Sequence, residues 1–546
     1  MSRDKVQFHF RRLDVARRDR GNFDSQWEEA AARVIPAHRS SFTGRGLDNV
    51  FGAGGQKKTE EMIDATAALA NLRFSAVLES LGTPQSSVWH LLKPADKTLK
   101  NNRAVRIYFD EVNDILFSYR YRPVANFVAN IQQCYGSVGA YGNATLFVDR
   151  PDETPGLRYK YLHLGETYYF TNHAGVIDTL YRPFWLDARQ AVQKFPKGLP
   201  DAITTAANSE QSDRKFEFLH CIYPSTDYSP GGIGVKGMRF ASLYISRQEE
   251  KIIEEGGYHS FPAPSARYTV APGETYGRGP AQWVLPAIKT LNEQKKTVLK
   301  QGHRNVDPVL LAHDDGVIDG FSMRAGAINK GAVTADGKML VHPLPVGNIA
   351  VGEKMMEMER GIIQDAFLIT LFQILVDTPQ MTATEVLERA REKGMLIAPT
   401  AGALQAGFLG PMIERELDLL MQQGLLPDMP PILAATGGSY KIEYDSPMSR
   451  MMRAEKAAGF LRAFGVATDF AQRTGDRSAL DWFNIDAAMP EIMDIQGSPT
   501  AWSSTPEEVA KMREQRAQDA QEQKMIEAAP AAAGLLKAAP EIMNSK

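Results

Sequence analysis

Cysteine is almost absent from the chain. Cys134 and Cys221 are the only two in 546 residues, and no C-x-x-C spacing occurs. Disulfide frameworks and zinc ribbons need more cysteines at short spacings, so the sequence indicates neither. We expect both thiols to be buried, because free cysteine behaves as a small hydrophobic residue.

Long apolar runs are missing as well. The densest one, AFLITLFQILV at 366–376, falls short of the roughly 18 residues that a membrane-spanning helix needs. The first residues, MSRDKVQFHFRRLDVARRDR, lack the apolar core of a signal peptide. We therefore expect a folded protein that is synthesised in the cytoplasm and does not insert into a membrane.

An excess of one charge is the third absence. The chain carries 62 basic and 65 acidic residues, which gives a formal net charge of −3. A dedicated high-affinity nucleic-acid binder usually has a basic excess, since its affinity comes from neutralising phosphates. Composition therefore gives no sign of a protein that holds nucleic acid tightly.

Catalytic signatures are also lacking. No G-x-S-x-G elbow, kinase signature or pair of acid–base carboxylates is present, which argues against an enzyme. GAGGQKKT at 52–59 lacks the spacing of a phosphate-binding loop, so we predict a flexible loop. GSVGAYG at 136–142 follows a predicted helix where a dinucleotide fingerprint follows a strand, so we predict a turn. We expect no catalytic residue, bound metal or cofactor.

One cluster of possible metal ligands lies in a predicted loop. It comprises His313, Asp314, Asp315 and Asp319, and imidazole and carboxylate groups suit a metal ion. Side chains at consecutive loop positions do not all converge on one point, so we prefer an exposed polar turn. A metal-dependent enzyme that uses these residues stays open as an alternative.

Helical patterns fill much of the chain, and one β-rich module interrupts them. Apolar spacing predicts helices at about 1–39, 59–80 and 101–134. Short segments rich in β-branched and aromatic residues predict strands between about 144 and 270, with one short helix near LDARQAVQKF. The predicted class is therefore α+β and mainly helical.

The stretch 276–304, YGRGPAQWVLPAIKTLNEQKKTVLKQGHR, predicts an amphipathic helix. Pro280 suits its first turn and Gly302 its end, and about 22 residues give a rod of about 33 Å. Lysines follow one flank, and either a solvated face or a surface facing a polyanion explains them. Six apolar residues are predicted to share its other face: Val284, Leu285, Ile288, Leu291, Val298 and Leu299.

A glycine- and proline-rich insert at 303–348 follows this helix, and 349–376 is predicted to be helical again. The insert would then lie at the tip of a long two-helix excursion. Such an excursion buries little apolar surface against its own chain.

Several stretches carry a family resemblance. ETYGRGPAQWVLPAIKTLNEQKKTVLK resembles the signature of the head-to-tail connector (portal) proteins of short-tailed, T7-like bacteriophages. The resemblance covers about 10–430, with His90 where an aromatic residue is common and no alignable segment after 450. Other stretches agree in the same order, namely NLRFSAVLESLGTPQSSVWHL, GNATLFV, GVIDTLYRPFWLDARQAVQKF, FEFLHCIYP, EEGGYHSFPAPSARY, MTATEVLERAREKG and FLGPMIEREL.

The resemblance implies a portal-type fold whose subunits form a closed ring of twelve around a channel. A ring would also give a partner to an excursion that buries little against its own chain. Carried over by position, the parts are the wing at 1–280, the first stem helix at 281–302, a small α/β clip at 303–348, the second stem helix at 349–376, the channel loop and long bent helix at 377–446, a helical crown at 447–530 and a flexible tail at 531–546.

The same resemblance implies roles for three sets of residues, none of them catalytic. The stem lysines would form sparse cationic rings, because a conduit must let DNA slide without arresting it. The sets are Lys289, Lys295, Lys296 and Lys300 lining the DNA channel; Thr378, Pro379, Gln380 and Met381 in the channel loop; and His313, Asp314, Asp315 and Asp319 docking the terminase or the tail adaptor.

The implied function is a structural channel for packaging and ejecting double-stranded DNA, at one vertex of the capsid of a virion. The implied partners are further copies of the chain, the major capsid protein, the scaffold protein, the terminase large subunit, tail adaptor and nozzle proteins, and internal core or ejection proteins. A capsid-associated DNA-binding scaffold is a further alternative, and strongly salt-sensitive binding to free duplex would favour it.

Overall fold

The computed structural model divides the chain into two compact units. Of the residues it describes, the first unit holds those up to 369 and those at 399–449, and the second holds those from 450 onward. Helices predominate and the sheets are antiparallel, which confirms the mainly helical α+β class. The described residues are 2–43, 57–96, 98–99, 102–151, 154–312, 321–345, 347, 349–369, 399–445, 447–476, 478–495, 504, 508–516 and 518–519.

Regular elements are numbered here in chain order. The α-helices are α1 Ser2–Val34, α2 Thr66–Gly82, α3 Arg103–Arg120, α4 Phe127–Tyr141, α5 Ala188–Lys194, α6 Asp201–Ala207, α7 Pro280–Trp283, α8 Leu285–Val306, α9 Ile349–Ala366, α10 Gly410–Gln422, α11 Pro431–Ala435, α12 Pro447–Thr474 and α13 Ile485–Ile495. The strands are β1 His90–Pro94, β2 Asn143–Asp149, β3 Arg158–Leu162, β4 Tyr168–Thr171, β5 Ile177–Asp187, β6 Lys215–Pro224, β7 Phe240–Ser246, β8 Lys251–Tyr258, β9 Ser265–Arg267, β10 Leu310–Ala312, β11 Val341–Pro343 and β12 Tyr440–Tyr444.

A five-stranded sheet, in the order β4-β5-β6-β7-β8, forms the centre of the predicted β-rich module. Successive side chains of a strand point to opposite faces, and both faces of this sheet are covered. Val6, Phe10 and Leu13 of α1 pack on one face, in a core that includes Leu219 of β6. The short helices α5 and α6 cover the other face, around Phe218. The sequence prediction of a single short helix in this module missed α6.

A second, three-stranded sheet has the order β3-β2-β9 and packs beside α4. The chain also pairs two strands that are very distant in sequence. In this pairing β1 and β12 are antiparallel, with His90 opposite Tyr444 and Pro94 opposite Tyr440. The late segment at 440–444 therefore belongs to the same unit as the N-terminal helices.

The single helix predicted over 101–134 is wrong, because the structure divides it into α3 and α4. Pro123 begins a 3₁₀ turn between the two helices, and Asn126 follows it with a φ of 54°. Asparagine tolerates this left-handed conformation better than most residues do. The boundary thus depends on turn residues that interrupt an otherwise continuous apolar pattern.

The turn predicted at 136–142 is also wrong, because α4 continues to Tyr141. Glycine is needed at 139 for close helix packing, since a Cβ there would lie 2.9 Å from the Phe74 ring of α2. Gly142 ends the helix with a φ of 72°. The glycines that predicted a turn therefore serve helix packing and a helix cap.

The second unit has a small core of its own, between α12 and α13. Ala457, Ala458 and Ile492 are buried there, and Phe460 packs against them. Phe460 also lies edge-on to Phe483, with ring centroids 5.6 Å apart.

Candidate nucleic-acid interface

A long hairpin, here residues 285–366, contains the predicted lysine-bearing helix. It consists of α8, the two-stranded β10–β11 sheet and α9. The two helices pack closely, since a Cβ on Gly352 would lie 2.6 Å from a Val298 methyl carbon. The predicted helix is present, but it is divided at Val284 into the short α7 and α8. Its predicted end is also wrong, because Gly302 lies inside α8, which continues to Val306.

The apolar face predicted for this helix is confirmed near its start, which we call the root of the hairpin. Leu285, Ile288 and Leu291 are buried there. Beyond the root, Leu299 is exposed, so the predicted face does not stay covered in the single chain. Further exposed apolar residues on the hairpin are Val306, Val351, Met355, Met358 and Ile362.

Glycines hold the root against the end of α4. The side chain of Asn143 forms two hydrogen bonds with the backbone of Gly277. Its Oδ1 accepts from the Gly277 N–H and its Nδ2 donates to the Gly277 C=O, each at 2.8 Å. A Cβ on Gly279 would lie 2.4 Å from the Val138 carbonyl oxygen. The YGRG sequence before α7 therefore serves close backbone approach, and Pro280 then fixes the first helical turn.

A single buried carboxylate ties both helices of the hairpin to the rest of the first unit. Asp64, which precedes α2, accepts through Oδ2 from Arg360 Nη2 of α9 at 2.8 Å and lies 3.2 Å from Lys295 Nζ of α8. Its Oδ1 accepts from the backbone N–H and the hydroxyl of Thr66. Asn292 Oδ1 accepts from the Asp64 N–H at 2.8 Å. We call Asp64, Lys295 and Arg360 the Asp64 clamp.

Electrostatics favours the charged form of this carboxylate. Burial opposes ionisation, but hydrogen bonds from Thr66, Arg360 and Lys295 outweigh it and hold the pKa of Asp64 well below its usual range. Asp64 is therefore ionised at neutral pH, and its single negative charge is shared between one cation from each helix.

The structure separates the four lysines predicted to line a channel. Lys289, Lys296 and Lys300 recur at seven- and four-residue spacing, so they share one exposed stripe of α8. Lys295 shares the buried side of α8 with Ile288 and Asn292, where Asp64 holds it. The sequence pattern alone did not distinguish these two environments.

Most of the exposed stripe is charge-compensated in the single chain. Lys289 donates to Glu29 of α1 at 2.8 Å, and Lys296 lies 3.7 Å from Glu293. Lys300 forms no ion pair with any residue that the structure describes. The local positive charge of the stripe is therefore small near the root and larger toward the tip.

The other two predicted sets lie outside the described residues: Thr378, Pro379, Gln380 and Met381, and His313, Asp314, Asp315 and Asp319. Within the described part of the chain, no group of three or more His, Cys, Asp or Glu side chains is arranged to hold a metal ion. None of the described helices is long and apolar enough to cross a membrane.

Sequence reasoning missed the Asp64 clamp. Its acid lies 296 positions from Arg360 and 231 positions from Lys295 in the sequence. One local signal was available: Asn292 is a polar residue directly beside Leu291 on an otherwise apolar face. Such a residue in a buried stripe indicates a specific hydrogen-bond partner.

Comparison with known proteins confirms the predicted resemblance and extends it beyond residue 450. Residues 10–502 match the family described as "Bacteriophage head to tail connecting protein". The portal protein of Salmonella phage epsilon15 is 23% identical over 545 residues, covering 98% of this chain and 95% of that protein. The probable portal protein of Bordetella phage BPP-1 is 26% identical over 523 residues, covering 92% and 90%. Because the family match spans most of the sequence, the chain belongs to the bacteriophage head-to-tail connecting proteins.

Proposed function

We propose that this connector protein assembles with further copies of itself into a closed ring of about twelve subunits, whose channel conducts double-stranded DNA into and out of a phage capsid. Its family gives it a structural connector role in phage DNA packaging. The observation that carries the ring is the long hairpin, which leaves apolar side chains of both helices exposed beyond its root.

Exposure of apolar side chains along a helix pair to water is unfavourable, and clusters of exposed apolar side chains mark contact surfaces. In a closed ring, each hairpin meets the next through the same rotation, so every copy gains a partner. A second copy of the chain therefore accounts for Met355, Met358 and Ile362 on α9.

The proposed parts follow the family architecture. The two helices of the long hairpin supply the stem, at 281–302 and 349–376, and residues 303–348 supply the clip. The wing is 1–280, the channel loop and bent helix are 377–446, the crown is 447–530 and the tail is 531–546. In this proposal His313, Asp314, Asp315 and Asp319 dock the terminase or tail adaptor, and Thr378, Pro379, Gln380 and Met381 approach the DNA.

The proposed channel binds DNA weakly. Lys289 and Lys296 on the exposed stripe already have carboxylate partners, and only Lys300 lacks one among the described residues. Each added phosphate contact strengthens binding in a salt-dependent way and would slow translocation. Sparse positive charge along the stripe is therefore suited to a conduit.

The proposed partners are those of a connector between a phage head and tail: the major capsid and scaffold proteins, the terminase large subunit, the tail adaptor and nozzle proteins, and internal core or ejection proteins. The proposed location is one vertex of the capsid. The family is structural, and we propose that a separate terminase supplies the ATP-driven step, so that this chain carries out no catalysis.

Native mass measurement of the purified full-length protein tests this proposal. We expect a closed assembly of about a dozen copies, and M358S/I362S, which removes two exposed apolar side chains of α9, to lower the assembled fraction. I233S is the matched control, because Ile233 is 97% exposed in a loop outside the hairpin. A stable monomer of the unmodified chain, or equal loss of assembly in I233S, would overturn the proposed hairpin contact.

A further inference from the structure

The Asp64 clamp joins two cations that come from different helices of the long hairpin. Both approach the same carboxylate oxygen, Asp64 Oδ2, at 2.8 Å from Arg360 and 3.2 Å from Lys295. A DNA phosphate presents to such donors the same kind of charged oxygen that a carboxylate does. Asp64 therefore occupies donors that would otherwise suit a phosphate.

The exposure of the three side chains is unequal. The Asp64 side chain is only 4% exposed, whereas those of Lys295 and Arg360 are 31% and 35% exposed. The carboxylate thus holds the cations from the protein side, and part of each cation reaches solvent. Without the negative charge, both side chains would be free to turn toward an anion in solution.

We propose that Asp64 is a positioning residue that keeps Lys295 and Arg360 from binding the phosphates of DNA in the channel. This inference rests on the proposed function, because it requires that the stem of the hairpin faces DNA. The lysines of the exposed stripe have no comparable restraint, since Lys289 and its partner Glu29 are 49% and 44% exposed.

The test is the salt dependence of binding between assembled full-length protein and a short DNA duplex. In D64N, the amide keeps the size of the side chain and still accepts from Thr66, but it no longer compensates the two cations. We expect tighter binding than in the unmodified protein. The slope of log K against log salt concentration should steepen by at least about 0.9, the increment for one added phosphate.

Two further variants separate charge release from a general change of structure. In K295M/R360M, which keeps Asp64, the slope should stay as in the unmodified protein, because those cations do not contact DNA. In D64N/K295M/R360M the slope should return from the D64N value to the unmodified one. A merely structural role for Asp64 would give an unchanged slope in D64N, or a steeper slope that the triple variant keeps, and either result would overturn the proposal.

E29Q is the matched control for loss of a carboxylate partner. It frees one surface lysine whose ion pair is already solvent-exposed, so its slope should change less than that of D64N. An effect of E29Q as large as that of D64N would contradict the special role of the clamp.

Assembly has to be checked for each variant by native mass. If D64N does not assemble, D64N/R360M is measured against R360M, and freed Lys295 alone should still steepen the slope by about 0.9. No steepening there would overturn the inference. A monomeric unmodified protein would instead overturn the proposed ring itself, whereas an intact ring with equal slopes in all variants would overturn only the role of Asp64.

Discussion

The surroundings of Arg120 and the long hairpin show two different ways of using charge and apolar surface. Arg120 of α3 and Glu416 of α10 form a bidentate ion pair in which neither side chain is exposed to solvent. The hydroxyl of Tyr159 donates to Glu416 at 2.6 Å, and the Arg120 guanidinium lies 4.7 Å from the centre of the Trp89 ring. This region buries its ion pair and the Trp89 ring within one chain.

The long hairpin differs from this region. At its root, Lys295 and Arg360 pair with a buried carboxylate that another segment contributes, Asp64, and apolar side chains of both helices are exposed. The comparison indicates that the region around Arg120 is stabilised by folding of the single chain, whereas in the proposed ring the hairpin gains stability from association.

The largest effect is expected for the buried pair. Although burial opposes the charged form, Glu416 holds the pKa of Arg120 above its ordinary value, so the guanidinium stays charged. E416Q leaves a buried guanidinium without its counter-charge, and we expect a loss of about 3–5 kcal/mol in the free energy of unfolding. Urea unfolding followed by tryptophan fluorescence measures it.

The double variant R120M/E416L is the control for E416Q. It removes both charges and fills the space with apolar groups, so it should be more stable than E416Q. If the double variant were as unstable as E416Q, the cost would come from lost packing and not from an unpaired charge.

Glycine substitutions contrast the segment just before the hairpin with the last turns of α8. G279A places a Cβ 2.4 Å from the Val138 carbonyl oxygen, and we expect it to destabilise the protein by about 1–3 kcal/mol. In G302A nothing lies within 4 Å of the new Cβ, and helix propensity predicts a gain of about 0.5–1 kcal/mol. Thermal unfolding of both variants distinguishes them, and equal shifts would contradict the close contact at Gly279.

The sequence predicted two features well, the buried face at the start of α8 and the β-rich module, because each has a strong local pattern. Pro280 and the spacing of Leu285, Ile288 and Leu291 are sufficient to place a buried helix face. It did not predict the division between α3 and α4, since the apolar spacing continues across the turn at Pro123. Local apolar spacing thus predicts helical faces better than it predicts breaks between them.

For the candidate interface, the sequence showed which lysines lie on α8 but did not predict which groups surround each of them. Lys295 and Lys296 are neighbours in sequence, yet one contacts a buried aspartate and the other an exposed glutamate. Neither the apolar pattern of α8 nor the count of charged residues predicts that Asp64 lies beside Lys295. That contact depends on how the segment before α2 packs on α8 and α9. Tertiary contacts of this kind have no local signature.

His90 tests the core at acidic pH. Its ring stacks on Phe117 with centroids 5.1 Å apart, and no described residue hydrogen-bonds either ring nitrogen. Burial, together with the charge of Arg120, lowers the pKa of His90 well below 6.5. A lowered pKa in the folded state means that stability falls as pH drops below the unfolded value of about 6.5.

H90F should therefore remove part of the acid sensitivity while keeping an aromatic ring in the stack. Between pH 7.5 and 5.5, we expect its free energy of unfolding to fall by about 1.4 kcal/mol less than that of the unmodified protein. Urea titrations at both pH values measure the difference. Parallel decreases would mean that His90 is protonated in the folded protein.

The smallest effect is expected for the exposed ion pair between Lys289 and Glu29. Solvent screens both groups, so E29Q should change the free energy of unfolding by no more than about 0.2–1 kcal/mol, and by less in high salt. Urea unfolding at low and high salt measures it, with E416Q as the buried counterpart that salt should scarcely affect. A salt-independent loss of unfolding free energy as large as that of E416Q would contradict this expectation. The root of the hairpin would then depend on the Lys289–Glu29 pair as strongly as the region around Arg120 depends on Glu416, and the contrast between the two regions would disappear.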